Sequence, residues 1–400
     1  MITNKVITTI VVLVTINGYA LQSVPHHLDI TLPEDGWLNF TGLAQKYGLN
    51  CAVYDVTTED GYILKLFHIP GNKDPVLIMH GILDTADTFI LRGNSSLVAA
   101  LHEQGYDVWV GNSRGSRYSR RHQELNPDTD RAFWNFSFHE MGYYDLPAVI
   151  DFILEKTGAS MLSAIGHSQG NQIFYVLGAS RPEYNEKINI IIALAPICFL
   201  HNVIPPVSGL VAMGPMLDIM LQMIDKEEIL GDNDISRELI DLMCLKSLFG
   251  YKLCVEGVIF PFAGTDYTEF EPEFSRIVLA HYPSGTSRIN AVHLMQVAQK
   301  REFVYFDHGV SGNMALYNSS VPPKYDLGRV TMKVALIAAK NDKISALRDV
   351  RILKRKLPNL AYYKVLDYPL FNHLDYNWGK NMKKYLFPYV FKVLRTFGNR

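Results

Sequence analysis

A chain of 400 residues with 48% hydrophobic and 20% charged side chains can bury a large core and carries too little charge to stay unfolded. Its formal net charge of -2 provides no electrostatic footprint for a nucleic-acid partner. No linker-like stretch or internal repeat divides it, so one large domain carrying an insertion is expected rather than a string of average ones.

Lys5, the apolar or small run from Val6 to Ile16, and Gly18 and Ala20 read as a signal peptide over residues 1–20, cleaved after Ala20. The alternative, an uncleaved anchor, has a run too short for a comfortable span, and no later segment reaches spanning length without a charge, Pro or Gly. Asn39, Asn94, Asn135 and Asn318 each open an N-x-Ser/Thr acceptor sequence, which fits a glycosylated protein of the secretory pathway, secreted or lysosomal. Of four cysteines, Cys244 and Cys254 are close enough in sequence to pair, whereas Cys51 and Cys198 have no evident mates and are expected as buried thiols. No paired His or Cys spacing gathers four ligands, so no metal site is expected.

Ala52 to Thr57 and Tyr62 to Ile69 flank an Asp60-Gly61 turn and predict an antiparallel hairpin. Short apolar runs follow at Val76–Met79, Val108–Val110, Leu162–Ile165, Ile188–Leu194 and Val334–Ala339, separated by helix-like segments, as in a mostly parallel sheet buried on both faces. One such helix has Leu146, Val149, Ile150, Ile153 and Leu154 on one face, Asp145 and Pro147 at its start, and Gly158 past its end. From about Ile197 to Asp326 the strand rhythm stops, so this stretch is taken as an insertion between core segments 21–196 and 327–400. Met213, Met216, Met220 and Met223 recur there at helical spacing; core packing is the preferred reading, a surface adaptable to varied acyl chains the other.

Gly166-His-Ser-Gln-Gly170 lies between an apolar strand and an apolar helix, the arrangement of a nucleophile elbow that pushes the Ser168 hydroxyl into the open. Gly111-Asn-Ser-Arg-Gly115 matches the same pentapeptide, but Arg114, Arg117, Arg120 and Arg121 follow and no apolar helix begins, so Ser113 reads as part of a polar loop. A serine nucleophile needs a histidine base, and that histidine needs a carboxylate to fix its tautomer. In strand-elbow hydrolases the order is Ser, acid, His. Asp342 follows an apolar strand run, whereas its competitor Asp349 falls within an expected helix over 346–357. Among thirteen histidines His373 alone lies downstream of Asp342. Gln169, directly after the serine, and Ile82, in the loop Met79-His-Gly-Ile-Leu83, are the expected backbone donors to an oxyanion, with His80 bracing that loop.

These residues, together with Val56-Thr-Thr-Glu-Asp-Gly-Tyr-Ile-Leu64, Phe133-Trp-Asn-Phe-Ser-Phe138, Tyr144-Asp-Leu-Pro-Ala148, Pro322-Pro-Lys-Tyr-Asp326 and Asn372-His-Leu-Asp375, make the chain resemble the acid lipases from about Tyr47 to Trp378. That family includes gastric, lingual and lysosomal acid lipases and insect relatives. The resemblance implies an α/β-hydrolase fold with a helical cap over 197–326, and cofactor-free hydrolysis of neutral lipid esters at a lipid–water interface. It also implies the triad Ser168, Asp342 and His373, oxyanion donors at Gln169 and Ile82, and a Cys244–Cys254 bridge within the cap. A monomer is expected. The chain departs from the family pattern at Ile82, at Asp84 near the expected acyl pocket, and at Lys343-Ile-Ser-Ala after Asp342. Competing readings are a soluble carboxylesterase acting on small esters and a lipid carrier that keeps the fold without catalysis.

Overall fold

The computed structural model describes residues 32–232, 235–247 and 249–398; the expected signal segment lies outside them. Eight strands form the central sheet: β1 (Ala52–Thr57), β2 (Ile63–Ile69), β3 (Pro75–Met79), β4 (Asp107–Gly111), β5 (Leu162–His167), β6 (Ile188–Leu194), β9 (Val334–Ala338) and β10 (Leu360–Val365). A separate two-stranded pair, β7 (Glu228–Ile229) and β8 (Thr286–Ser287), lies between β6 and β9. The large sheet runs β1-β2-β4-β3-β5-β6-β9-β10. Within this sheet only β1 with β2 and β2 with β4 pair antiparallel, so the hairpin leads a parallel sheet as the sequence pattern predicts.

Every residue of β3, β5 and β6 is buried, because alternate side chains feed two separate cores. Val76, Ile78, Ile165 and Ile192 join Val390 and Leu394 of the C-terminal helix on one face. Leu77, Met79, Ala164 and Ile191 join Ile150, Ile153, Phe174 and Leu177 on the other. The helix Leu146–Thr157 begins with Pro147 in its first turn and ends at Gly158 in the left-handed conformation, φ 70°.

Asp145 stands at the helix start as expected, but its side chain caps no helix amide. It continues a wide turn over Met141–Asp145 in helical conformation, and its carboxylate accepts from Arg114 Nε at 2.7 Å and from the Arg114 amide at 3.1 Å. Arg114 is 1% exposed, also donates to both carboxylate oxygens of Asp60 at 2.6 and 2.8 Å, and lies 3.9 Å over the Tyr62 ring. The Gly111–Gly115 pentapeptide is thus a structural clamp whose charged side chain points inward, and only a single 3-10 turn over Arg117–Ser119 follows it.

Between β6 and β9 the chain is mainly helical. Cys244 and Cys254 form a disulfide there, with Cα atoms 5.8 Å apart. Cys198 is a buried thiol as expected, whereas Cys51 is only half-buried, at the start of the edge strand, and bonds the Ala52 carbonyl. The four methionines overturn the core-packing expectation: Met213, Met216, Met220 and Met223 are all exposed. Their helix, Val207–Met223, meets its neighbour Arg288–Lys300 through Gly214, where a Cβ would stand 2.7 Å from the Met295 sulfur, and the methionines fall on its remaining surface.

Removing the Asp145 carboxylate leaves a buried guanidinium with one acid instead of two. Asp145→Ala is expected to cost about 3–5 kcal/mol, read as a lower denaturant midpoint at unchanged slope. A cost below ~1 kcal/mol would show that Asp60 alone satisfies Arg114.

Candidate active site

Ser168 stands where β5 gives way to the helix Gln169–Ser180, at φ 56° and ψ −121°. A non-glycine residue there is strained, and its glycine neighbours make the turn possible. A Cβ on Gly166 would lie 2.7 Å from the Gly170 carbonyl, and one on Gly170 would lie 2.4 Å from the Met79 oxygen. Across the turn, a Cβ on Gly81 would come within 3.1 Å of the Ser168 Cβ. The elbow therefore fits under the loop following β3 because glycines line both sides of the crossing.

The Ser168 hydroxyl is 3.0 Å from His373 Nε2, and His373 Nδ1 is 2.9 and 3.0 Å from the two carboxylate oxygens of Asp342. With Nδ1–H donating to the carboxylate, Nε2 presents its lone pair to the serine O–H. One Asp342 oxygen also accepts from the backbone N–H groups of Ile344 at 2.9 Å and Ser345 at 2.7 Å. The unusual residues after Asp342 thus hold it through main-chain amides, and the Ser345 hydroxyl anchors them to the Pro196 carbonyl beyond β6. Asp349 lies on the helix Leu347–Lys356 and accepts instead from the Asn202 amide and side chain at 3.0 and 2.6 Å.

Gln169 opens its helix, so its N–H has no partner within that helix and carries the positive end of the helix dipole. Gln169 and Ile82 line one cavity together with Ser168 and His373. The Gln169 side chain is fixed by a reciprocal amide pair with Asn290, 3.0 Å in each direction. Asn290 was not foreseen from the sequence, since nothing local distinguishes it from other helix-start asparagines.

Two buried neutral histidines brace this arrangement. His80 Nε2 accepts from the Ser113 N–H at 3.1 Å, and its Nδ1–H donates to the Gly81 carbonyl at 2.8 Å. The expected bracing role of His80 is what the geometry displays, and Ser113 belongs to the brace. His167 was also not foreseen: Nε2–H donates to the His373 carbonyl and Nδ1 accepts from Asn377 Nδ2, both at 3.0 Å. Burial holds His80 down to about 4 and His167 down to about 3.

The cavity measures about 310 Å³, and Ile197, Leu200, Val258, Phe262 and Ile344 contribute apolar walls. Asp84, 7% exposed, is the one Asp, Glu, Lys or Arg among its lining residues. Among the described residues no group of three or more His, Cys, Asp or Glu side chains is placed to hold a metal. Asn39, Asn94, Asn135 and Asn318 are all solvent-exposed. Chemically, the cavity presents a serine hydroxyl hydrogen-bonded to a histidine ring nitrogen beside apolar walls, an arrangement suited to acyl transfer from a nonpolar ester.

Burial pushes the Asp84 carboxyl up to about 7. The folded chain therefore retains a proton that the unfolded chain releases near 4, and stability contributed at this site falls as pH rises from about 4 to 7. Asp84→Asn is expected to remove that loss. Its stability gain over the native chain should grow by up to about 1.4 kcal/mol per pH unit through this window and level off above it. Thermal melts of both proteins at stepped pH measure the difference; a gain independent of pH would place the carboxylate in contact with solvent.

Residues 40–93 match the family model described as a partial alpha/beta-hydrolase lipase region, and residues 74–222 match the alpha/beta hydrolase fold. Lipase 1 of Drosophila melanogaster is 34% identical over 91% of this chain and 81% of its own length. Gastric triacylglycerol lipase of Rattus norvegicus is 35% identical over 86% of this chain and 88% of its own. Among solved structures, a Bacillus subtilis carboxylesterase superposes with a TM-score of 0.50 over 91% of this chain and 98% of its own, at 12% identity, a likeness of fold alone. Identity above three in ten across most of both chains, on this sheet and elbow, makes the protein a member of the acid lipase family of α/β-hydrolases.

Proposed function

We propose that this protein is a secretory-pathway lipase that hydrolyses carboxylic ester bonds of neutral lipids, triacylglycerol or cholesteryl ester, through an acyl-enzyme on Ser168. The observation that carries this reading is the continuous series Asp342, His373, Ser168 ending in an apolar cavity. Ser168 Oγ attacks the ester carbonyl carbon while His373 Nε2 takes its proton. Amides of Gln169 and Ile82 receive the negative charge that develops on the carbonyl oxygen. The tetrahedral intermediate collapses as His373 returns the proton to the departing alcohol. Water then gives its proton to His373 and attacks the acyl carbon, releasing the acid and restoring the serine.

Residues 197–326 act in this reading as a cap. The exposed methionine face of Val207–Met223, with Ile219 and Ile224 beside it, supports work at a lipid surface over action on small dissolved esters. Four exposed asparagines in acceptor sequences support glycosylation and passage through the secretory pathway, to a lysosomal or extracellular destination.

Ser168→Ala is expected to lower ester turnover on the order of a millionfold and Asp342→Asn about ten-thousandfold, with Ser113→Ala and Asp349→Asn retaining most activity. Steady-state kinetics on one soluble ester, with fluorophosphonate labelling to locate the nucleophile, decides this; a label on another serine would sink the mechanism. Rate followed through the solubility limit of a medium-chain ester tests the lipase reading. Turnover is expected to rise as the second phase forms, while a plain hyperbola with preference for short esters would favour the soluble carboxylesterase.

A further inference from the structure

Asp84 is a costly residue to place where it stands. It lies two positions beyond Ile82 in the wall of a cavity whose other lining residues are apolar, aromatic or part of the reacting group and its braces. One of its carboxylate oxygens accepts the Thr85 N–H at 2.9 Å, and the Thr88 hydroxyl also faces the group. Both neighbours are local, and a carboxyl has capacity for more hydrogen bonds.

Tyr282 lines the same cavity, and its segment is fastened to that of Asp84 at two points. The Ser284 N–H donates to the Leu83 carbonyl at 2.8 Å, and His281 Nδ1 lies 2.8 Å from a carboxylate oxygen of Asp87. These ties flank Asp84 on one segment and Tyr282 on the other, and charge on Asp84 raises the cost of ionising the Tyr282 phenol. Asp87 and His281 also face Asp84 electrostatically, and His167 and His373 share the cavity.

An unsubstituted acyl chain laid against this wall would strip water from a carboxyl and a phenol and give them no new partner in its place. A chain carrying a hydroxyl group restores one, because a hydroxyl donates to the carboxyl oxygen and accepts from the phenol. We propose that Asp84 and Tyr282 form a polar subsite in the acyl cavity that selects esters of hydroxylated fatty acids over plain ones of equal length. This deepens the ester-hydrolase reading of the same cavity and rests on it. The carboxyl, raised by burial to about 7, enters the acid range uncharged, so the subsite avoids the larger cost of a buried charge.

Binding without turnover separates the subsite from the reaction. In the Ser168→Ala background, isothermal titration with methyl octanoate and each positional methyl hydroxyoctanoate is expected to give, for at least one position, about tenfold tighter binding than the plain ester. Asp84→Leu should abolish that ratio, Asp84→Asn should retain it because an amide still donates and accepts, and Tyr282→Phe should reduce it severalfold. Each ratio is internal to one protein, and Tyr282→Phe decides the matter if leucine at 84 prevents folding. No preference at any position, or a ratio untouched by Asp84→Leu and Tyr282→Phe, would overturn the subsite. A native protein that shows the preference but hydrolyses none of the esters would overturn the proposed reaction and leave the subsite standing.

Discussion

The crowding of backbone at Ser168 is the constraint to which the rest of the site conforms. A serine at φ 56° is costly, by about 1–3 kcal/mol for such strain, and it persists because packing on both sides leaves no other course. β5 pairs in parallel with β3, with Gly166 opposite Met79, and the helix beginning at Gln169 then passes so close that Gly170 meets the Met79 oxygen. That contact brings the Gly81-Ile82 loop against the serine, and Ile82 and Gln169 come to line one cavity. Strain, strand register and the placing of the donors are one arrangement seen from three sides.

Around the elbow, rigidity comes from groups whose hydrogen bonds leave them only one role. His80 ties the loop after β3 to the loop after β4, and His167 ties the elbow to the segment bearing His373. Each ring donates from one nitrogen and accepts at the other, so protonation would break an accepted bond as well as bury a charge. Burial keeps both neutral well into the acid range. The frame holding Ser168 and His373 therefore keeps its bonds where a surface histidine would gain charge, and the pH-sensitive carboxyl of the cavity is Asp84.

The two pentapeptides of the same pattern show how context converts sequence into chemistry. At 166–170 the flanking strand and helix force the serine outward, whereas at 111–115 Arg114 turns inward to Asp145 and Asp60 and the chain remains a loop. Both contribute to one site, since the Ser113 amide holds His80. The motif that fails as a nucleophile supplies part of the brace.

Local sequence determined the elements whose signals are short-ranged: the Asp60-Gly61 hairpin, the fully apolar strands, the helix from Pro147 to Gly158, and the elbow with its glycines. Chain order selected Asp342 and His373, because one histidine alone follows a strand-end acid. Other features depended on residues far apart in sequence. The edge strand β10 carries a readable run, Leu360 to Val365, but half-buried positions give it no clean alternation. The exposure of Met213 through Met223 was undecided by spacing, since a helical stripe looks alike whether it faces a core or water. Asn290 on Gln169, Asn377 on His167, and the shared cavity wall of Asp84 and Tyr282 draw on segments separated by a hundred residues or more, and only the folded chain brings such residues together. Secondary structure follows from neighbours in sequence, which the sequence displays directly, while a site's electrostatics follow from neighbours in space, which tertiary packing alone creates.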